Sequence, residues 1–429
     1  MNGCKRFLTM PDEMARTFKF SEYNIYLDES RGLVYNTRTQ AVSEFENHTL
    51  DTNDALELVD CGFIVPINTD EIDEIRNEYE ERSRMSNELH LIIATTLDCQ
   101  FRCVYCYESH PKVYMTEDVK AAIIGTVKDY AVSGKDISIV WYGGEPMLDF
   151  KSIRMFSKCF IDICNTYGVS YRASMISNGY SFSPESIALL DELRVESLQI
   201  TLDGIECVHE QRRPLIDGGS SFNRIVQNMK AISEKTSVEV HLRINVDKSN
   251  IGSAYELVRY CSGERLNNID VNLGMLKAFG CDHICGSGNQ NLFSMKEFSS
   301  EFLNFRDYIK EFGFEKAIKK MVPEYKINSC TMDAPNSYVI DPYGWVYKCI
   351  SLVGQKDRSI GNILIGFNES AHTVHSPFMS QKCSKCRYFP VCKGGCLLNN
   401  SDNSPECNIW KYITEELVLR EISETICNA

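Results

Sequence analysis

At 429 residues the chain exceeds the roughly 250 to 300 residues at which single cores stop growing, so two or three domains are expected. Its 45 Lys and Arg against 59 Asp and Glu leave a net charge of −14, which argues against a nucleic-acid partner, because phosphates need clustered basic residues. The opening MNGCKRFLTMPDEMARTFKF has no apolar core long enough for a signal peptide, and no later stretch approaches the roughly 20 apolar residues of a membrane span, so a cytoplasmic protein without a membrane partner is expected.

In chain order, residues 1–86 hold a predicted hairpin, Tyr23–Leu27 and Leu33–Asn36, turning at Asp28–Gly32. Short helical candidates and the charged stretch Asp70–Arg84 follow, and together they read as a small α+β module. From about residue 89, short β-branched runs alternate with amphipathic stretches, the pattern of βα units around a parallel sheet. The strands are predicted at Leu89–Thr95, Ile137–Tyr142, Tyr171–Ser177, Ser197–Leu202, Val238–Val246 and Val271–Lys277. Helices are predicted near Thr116–Ala131, Ile153–Tyr167, Pro184–Glu192, Phe222–Glu234, Ser253–Cys261 and Ser294–Phe312.

Six units fall short of the roughly 250 residues of a closed eight-stranded barrel and suit a partial (β/α)6 TIM barrel of the α/β class, with an open parallel sheet as the alternative. Both place the active site at the C-terminal ends of the strands. The expected division is 1–86 for the N-terminal module, 87–315 for the core and 316–429 for a C-terminal region. Within the last, residues 326–410 are rich in Cys, Gly, Pro and Asn, and need something besides an apolar core to fold; bound clusters would supply it.

Nineteen cysteines in a cytosolic chain point to metal ligation, because that compartment keeps thiols reduced. Cys61, Cys159, Cys164, Cys207 and Cys261 stand alone among apolar or helical residues and read as small buried hydrophobes. The others cluster. Directly after the first strand comes Cys99-x3-Cys103-x2-Cys106, a loop that can ligate three irons of a four-iron cluster and leave the fourth open. A structural zinc site wants four ligands, and His110 is the one further Cys or His at a suitable local distance.

This loop resembles the signature of the radical S-adenosylmethionine (SAM) superfamily, including an aromatic residue, Tyr105, before the last cysteine. Trp141-Tyr142-Gly143-Gly144-Glu145-Pro146 resembles the family's GGE motif, whose backbone and carboxylate receive the SAM amino group, with the glycines allowing close approach. Ser177-Asn178-Gly179, Thr201-Leu202-Asp203-Gly204 and Arg243-Ile244-Asn245-Val246 follow at successive strand ends. By resemblance Tyr105, Gly143, Gly144, Glu145, Asn178, Thr201, Arg213 and Asn245 bind the cofactor. Thr201 and Arg213 would meet its carboxylate or ribose, with Arg212 the alternative to Arg213. The resemblance further implies one-electron cleavage of SAM to methionine and a 5′-deoxyadenosyl radical that abstracts hydrogen from carbon.

Downstream, Cys330, Gly344-x4-Cys349, Cys383-x2-Cys386-x5-Cys392-x3-Cys396 and Cys407 resemble the SPASM extension of peptide-modifying radical SAM enzymes, which carries two auxiliary clusters. That implies three [4Fe-4S] clusters in all. Carried over, Cys383, Cys386, Cys392 and Cys407 hold the distal cluster, while Cys330, Cys349 and Cys396 hold the nearer one, which lacks a fourth ligand. The open iron would take a substrate thiolate, unless Cys281 or Cys285 fills it. Sulfatase-maturating relatives carry an aspartate directly after the Gly-x4-Cys cysteine, where this chain has Ile350; Asp341 is the candidate to compensate.

The expected function is a thioether-forming maturase of the sactipeptide or ranthipeptide kind, acting on a cysteine-rich precursor peptide with an electron donor such as flavodoxin or ferredoxin. The N-terminal module would bind the precursor's leader, as the recognition domains of such maturases do; a plain cap over the barrel is the other reading. A carbon-carbon crosslinking SPASM enzyme, a sulfatase-maturating enzyme and a non-catalytic iron-sulfur scaffold or electron carrier are the alternatives.

Overall fold

The computed structural model describes residues 8–45, 49–277, 291–399 and 406–427. Its centre is six parallel strands, β1 (Glu88–Thr96), β2 (Asp136–Gly143), β3 (Tyr171–Ser177), β4 (Val195–Thr201), β5 (Glu239–Val246) and β6 (Asp270–Met275). Each pairs with the next in sequence, from Leu89 beside Ile137 to Val246 beside Met275. All six coincide with predicted strands to within about two residues at either end, and the six predicted helices fall between or after them.

β1 is buried almost throughout, from Leu91 through Thr96 without interruption, because strands in a parallel sheet are covered on both faces and read as near-continuous apolar runs. The helices lay their apolar stripes on the sheet. In Glu117–Val132 the buried residues are Val119, Ile123, Val127 and Ala131, and the Thr116 hydroxyl caps the helix by accepting from the Val119 amide. Trp141 of β2 lies parallel to Phe160 of helix Phe150–Tyr167, with ring centroids 6.4 Å apart. The sequential strand order has no switch point of the doubly wound kind, and right-handed crossovers then carry successive helices to the same face of the sheet.

The sheet continues past the expected boundary at 315. β7 (Ser337–Ile340) pairs in parallel with the opposite edge of β1, with Ser337 beside His90 and Ile340 beside Ile93. β8 (Trp345–Tyr347) then returns antiparallel to it. The cysteine-rich region therefore grows out of the core sheet, with Gly344 and Cys349 flanking β8. Helix Trp410–Cys427 packs against Met295–Glu311.

The N-terminal module is a three-stranded antiparallel sheet, Asn24–Asp28, Leu33–Asn36 and Val42–Glu44, with helix Glu71–Arg84 after it. It leans on the C-terminal region. The Thr37 hydroxyl donates to the Arg387 carbonyl at 2.6 Å and the Tyr79 hydroxyl to the Asp333 carbonyl at 2.8 Å. Tyr23 and Ile75 pack with Phe389 beside Cys383 and Cys386. Among the described residues no helix is long and apolar enough to cross a membrane.

Candidate active site

At the C-terminal ends of β1 to β5 lies a cleft of about 350 Å³, a size suited to a small-molecule ligand. Cys99, Cys103 and Cys106 all face it. Their loop is laced to the neighbouring strand ends: the Gly144 amide donates to the Thr96 carbonyl at 3.1 Å and the Glu145 amide to that of Asp98 at 2.9 Å. Residues Arg102 and Val104 donate to the carbonyls of Pro214 and Arg212.

The two glycines of the GGE motif serve this lacing. A Cβ on Gly143, at φ +128°, would stand 2.2 Å from the Thr96 carbonyl oxygen, and one on Gly144 only 2.4 Å from that of Asp98. The close approach they permit is to the cysteine loop itself.

Burial pushes the thiols of Cys99 and Cys106 up to about 12, so without metal these are neutral sulfhydryls, and a bound iron would draw them into the thiolate form. Cys106 Sγ lies 3.2 Å from His110 Nε2. Three convergent soft donors beside a ligand-sized cleft fit an iron-sulfur cluster with room for a cofactor. Among the described residues no three His, Cys, Asp or Glu close tightly around a single metal ion.

The other expected cofactor residues converge on the β4 and β5 side. The Tyr105 hydroxyl donates to Asp203 Oδ2 at 2.5 Å and accepts from Arg213 Nη1 at 2.8 Å and Asn245 Nδ2 at 3.2 Å. Arg213, Thr201, Asn178 and Asn245 all line the cleft, and Asn178 Nδ2 is 3.9 Å from Cys99 Sγ. Arg212 points elsewhere, pairing with Asp247 at 3.0 Å and Asp203 at 3.7 Å. Of the two arginines, Arg213 is thus the one placed to meet a ligand.

Glu145 departs from the expectation. It is fully buried and absent from the cleft wall. Its Oε1 accepts from the Met147 amide at 2.9 Å and the Ser177 hydroxyl at 2.8 Å, and its Oε2 from the Asn178 amide at 2.7 Å. The carboxylate therefore ties the end of β2 to the end of β3, and of the motif it is Tyr142, Gly143 and Gly144 that line the cleft.

Sequence reasoning named Asp203 and Arg243 within their motifs without giving either a role. Asp203 anchors Tyr105, while the Arg243 guanidinium lies over Gly274, where a Cβ would come within 2.4 Å of it, and donates to Asn245 Oδ1 at 3.0 Å. It missed Tyr107 and Glu108 altogether, although both adjoin Cys106. The Tyr142 hydroxyl donates to Glu108 Oε1 at 2.9 Å and is itself hydrogen-bonded to the Tyr107 hydroxyl, which lies 3.5 Å from the Ile350 carbonyl oxygen. Burial pushes the Glu108 carboxyl up to about 7.

The C-terminal cysteines fall into two groups. Cys383, Cys386, Cys392 and Cys407 surround one small apolar nook, where Lys411 Nζ donates to Cys407 Sγ at 3.3 Å. Cys330, Cys349 and Cys396 are electrostatic neighbours of one another. Lys393, Gly394 and Gly395, all at φ between +48° and +80°, turn the chain so that Cys392 and Cys396 serve different groups. Asp333 orders the Cys330 turn by accepting from the Ser329 and Cys330 amides. Cys281 and Cys285 lie outside the described residues.

Residues 93–261 match the family model described as the Radical SAM superfamily. The chain carries a radical SAM domain. A cysteine-type anaerobic sulfatase-maturating enzyme from Clostridium novyi is 22% identical over 73% of this chain and 89% of its own length. The sporulation killing factor maturation protein SkfB of Bacillus subtilis is 27% identical over 40% of each. Among solved structures, anSMEcpe with bound AdoMet and the Cp18Cys peptide matches with TM-score 0.61 and 18% identity, covering 79% of this chain and 99% of that one. Streptococcus suis SuiB bound to its precursor peptide SuiA matches with TM-score 0.53 and 15% identity, over 91% of this chain and 97% of its own. At such identities the structural likeness establishes the fold. The radical SAM domain includes β2 to β5 and the cysteine loop, so the cleft belongs to it.

Proposed function

We propose that this radical SAM enzyme installs thioether crosslinks, from cysteine sulfur to carbon, in a ribosomally made cysteine-rich precursor peptide. Cys99, Cys103 and Cys106 hold the [4Fe-4S] cluster whose chemistry is the reductive cleavage of SAM to a 5′-deoxyadenosyl radical. Gly143 and Gly144 offer backbone to the cofactor, and Thr201, Asn178, Asn245 and Arg213 bind and orient it, with Tyr105 and Asp203 holding Arg213 in place. The sequential strand order supports a partial (β/α)6 barrel around this site, with the SPASM region attached at its β7 edge.

The observation that carries the thioether reading is the division of the C-terminal thiols. Four stand around one nook and three stand together, with Cys349 of the three next to Ile350 on the wall of the radical cleft. Two auxiliary clusters fit this arrangement, the nearer one short of a protein ligand and open to a substrate thiolate. SkfB and the SuiB complex support a peptide substrate, and the N-terminal module is assigned its recognition. The electron donor is a small redox protein such as flavodoxin or ferredoxin.

The sulfatase-maturating relatives favour a second reading, formation of an aldehyde from a cysteine or serine. It needs a base near Ile350. Asp341 does not supply one: it is fully buried, and its oxygens accept from the Tyr343 and Trp345 amides and the Tyr347 hydroxyl. Incubating reduced, reconstituted protein with SAM and a cysteine-rich precursor tests the proposal. It expects 5′-deoxyadenosine and a peptide that has lost two hydrogens and one free thiol per link. An aldehyde product would establish the second reading, mass loss with every thiol retained would establish carbon-carbon crosslinking, and absence of 5′-deoxyadenosine would leave an iron-sulfur scaffold.

A further inference from the structure

Among the described residues, one lysine is hydrogen-bonded to a cysteine sulfur. Lys411 Nζ donates to Cys407 Sγ at 3.3 Å, on the wall of the nook that Cys407 shares with Cys383, Cys386 and Cys392. The exposed residue Lys382 lines the same nook. Its other lining residues are Tyr388, Phe389 and Gly394, so no described carboxylate lines it to balance the two lysines.

As a helix residue Lys411 is oddly placed. It stands second in helix Trp410–Cys427, where a cation opposes the helix dipole, which favours anions in the first turn. The usual partner of a helical lysine is an acid one turn on. Here that acid is Glu415, whose carboxylate accepts instead from the Tyr388 hydroxyl, and Lys411 forms no ion pair among the described residues. An ammonium set against the dipole, unpaired with Glu415 and resting on a sulfur, is best matched when that sulfur is negative. Cys407 is a thiolate when it ligates iron. Four thiolates give a cluster a net negative charge, which grows by one when it takes an electron.

The other group of cysteines is served differently. The Met332 amide donates to Cys330 Sγ at 3.4 Å. Lys348, buried and an electrostatic neighbour of Cys330, sends its ammonium protons to the Ala334 and Ser337 carbonyls at 2.7 and 2.6 Å. The two positions therefore differ by a charged donor on a ligand sulfur, and cluster potentials are set by net charge and by hydrogen bonds to the sulfurs.

We propose that Lys411 tunes the potential of the distal auxiliary cluster, its ammonium stabilising the reduced form through the hydrogen bond to Cys407 Sγ. This deepens the reading given above and rests on its distal cluster. The raised potential makes that cluster the resting place for the electron that bond formation leaves on the nearer one: the nearer cluster loses one electron and the distal cluster gains it. Only the short turn Lys393–Gly395 separates Cys392 of the distal set from Cys396 of the nearer one.

The test is a potentiometric titration of the reconstituted full chain followed by electron paramagnetic resonance, with SAM added to single out the signal of its own cluster. Lys411→Met keeps the length of the side chain and removes the ammonium. The higher of the two auxiliary midpoints falls, the reduction equilibrium of that cluster weakening about 10-fold, which is about 59 mV for a one-electron couple. The lower auxiliary midpoint, the SAM-responsive one and the iron content stay as in the wild type. Lys411→Arg, which keeps the charge and the donors, restores most of the shift. Lys411→Gln, with a donor and no charge, gives a smaller fall and carries the test if Lys411→Met takes up less iron. Midpoints equal to the wild type's with full iron content, or a fall confined to the lower midpoint, overturn the assignment and leave the two auxiliary clusters standing. Wild-type iron sufficient for the SAM-binding cluster alone removes the distal cluster and the role of Lys411 together.

Discussion

Replacing Glu145 by Gln separates a structural carboxylate from a ligand-binding one. In the fold its two oxygens receive three donors, the Met147 and Asn178 amides and the Ser177 hydroxyl, all within 2.9 Å. A glutamine retains one acceptor oxygen and sets an NH2 against at least one of those donors. If the oxygen stays with Met147 and Ser177, the Asn178 amide loses a hydrogen bond to a charged acceptor and faces another donor. One such bond contributes about 1.5 to 3 kcal/mol, and leaving the buried amide without an acceptor adds a similar cost. Burial raises the Glu145 carboxyl above its usual range while the three donors oppose that shift, so removing the charge recovers part of the loss; a net destabilisation of about 2 kcal/mol is expected. The assay is thermal unfolding of the apoprotein with no SAM present, where a drop of a few degrees is predicted. An unchanged or higher melting temperature combined with lost SAM affinity would show that the carboxylate faces the ligand, and would refute the inward orientation.

Other perturbations probe other parts of the account. Arg213→Ala should weaken SAM binding with little effect on apoprotein stability, whereas Arg212→Ala, which removes the buried cation paired with Asp203 and Asp247, should destabilise by about 3 kcal/mol; equal effects on SAM affinity from both would contradict the division. Gly395→Ala would place a Cβ 1.9 Å from the Glu406 carbonyl oxygen at a φ of +75°, so auxiliary iron should be lost while the iron held by Cys99, Cys103 and Cys106 remains, as measured by iron content and electron paramagnetic resonance. His209 is fully buried and its pKa is lowered to about 3 by burial first and by Arg213 second. Below pH 6.5 the unfolded chain therefore binds a proton that the folded one refuses, and stability falls by up to about 1.4 kcal/mol per pH unit. His209→Gln should flatten that acid limb in unfolding scans between pH 6.5 and 4.5, and an unaltered slope would show that other groups set it.

The core was legible because physics writes it locally. Strands covered on both faces read as near-continuous apolar runs, as Leu89 to Thr95 does, while Val238 to Val246 alternates apolar and polar residues and its burial alternates with them. β7 had no such signal: Ser337 to Ile340 is four residues in a Cys- and Gly-rich stretch, and its partner, His90 to Ile93, lies far back in the chain. Helix Trp410–Cys427 was missed, although Ile413, Leu417 and Val418, which it buries, stand at helical spacing. In the site, spacing brought out the cysteines, since ligands must converge, while the division of the C-terminal thiols into a set of four and a set of three was implied by the resemblance to the SPASM extension. Spacing carries no information on where a side chain points. It could not show that Glu145 turns inward, that Arg213 faces the cleft while Arg212 is paired behind it, or that Glu108 completes a network with Tyr142, which stands 34 residues on.

The thioether reading is tested most directly by mass spectrometry of a cysteine-rich precursor after reaction with the reduced, reconstituted enzyme and SAM, with free thiols counted by alkylation before and after. The account predicts two hydrogens and one alkylatable thiol lost for every link formed. Loss of hydrogens with all thiols still alkylated, or a new aldehyde in place of a cysteine, would contradict it.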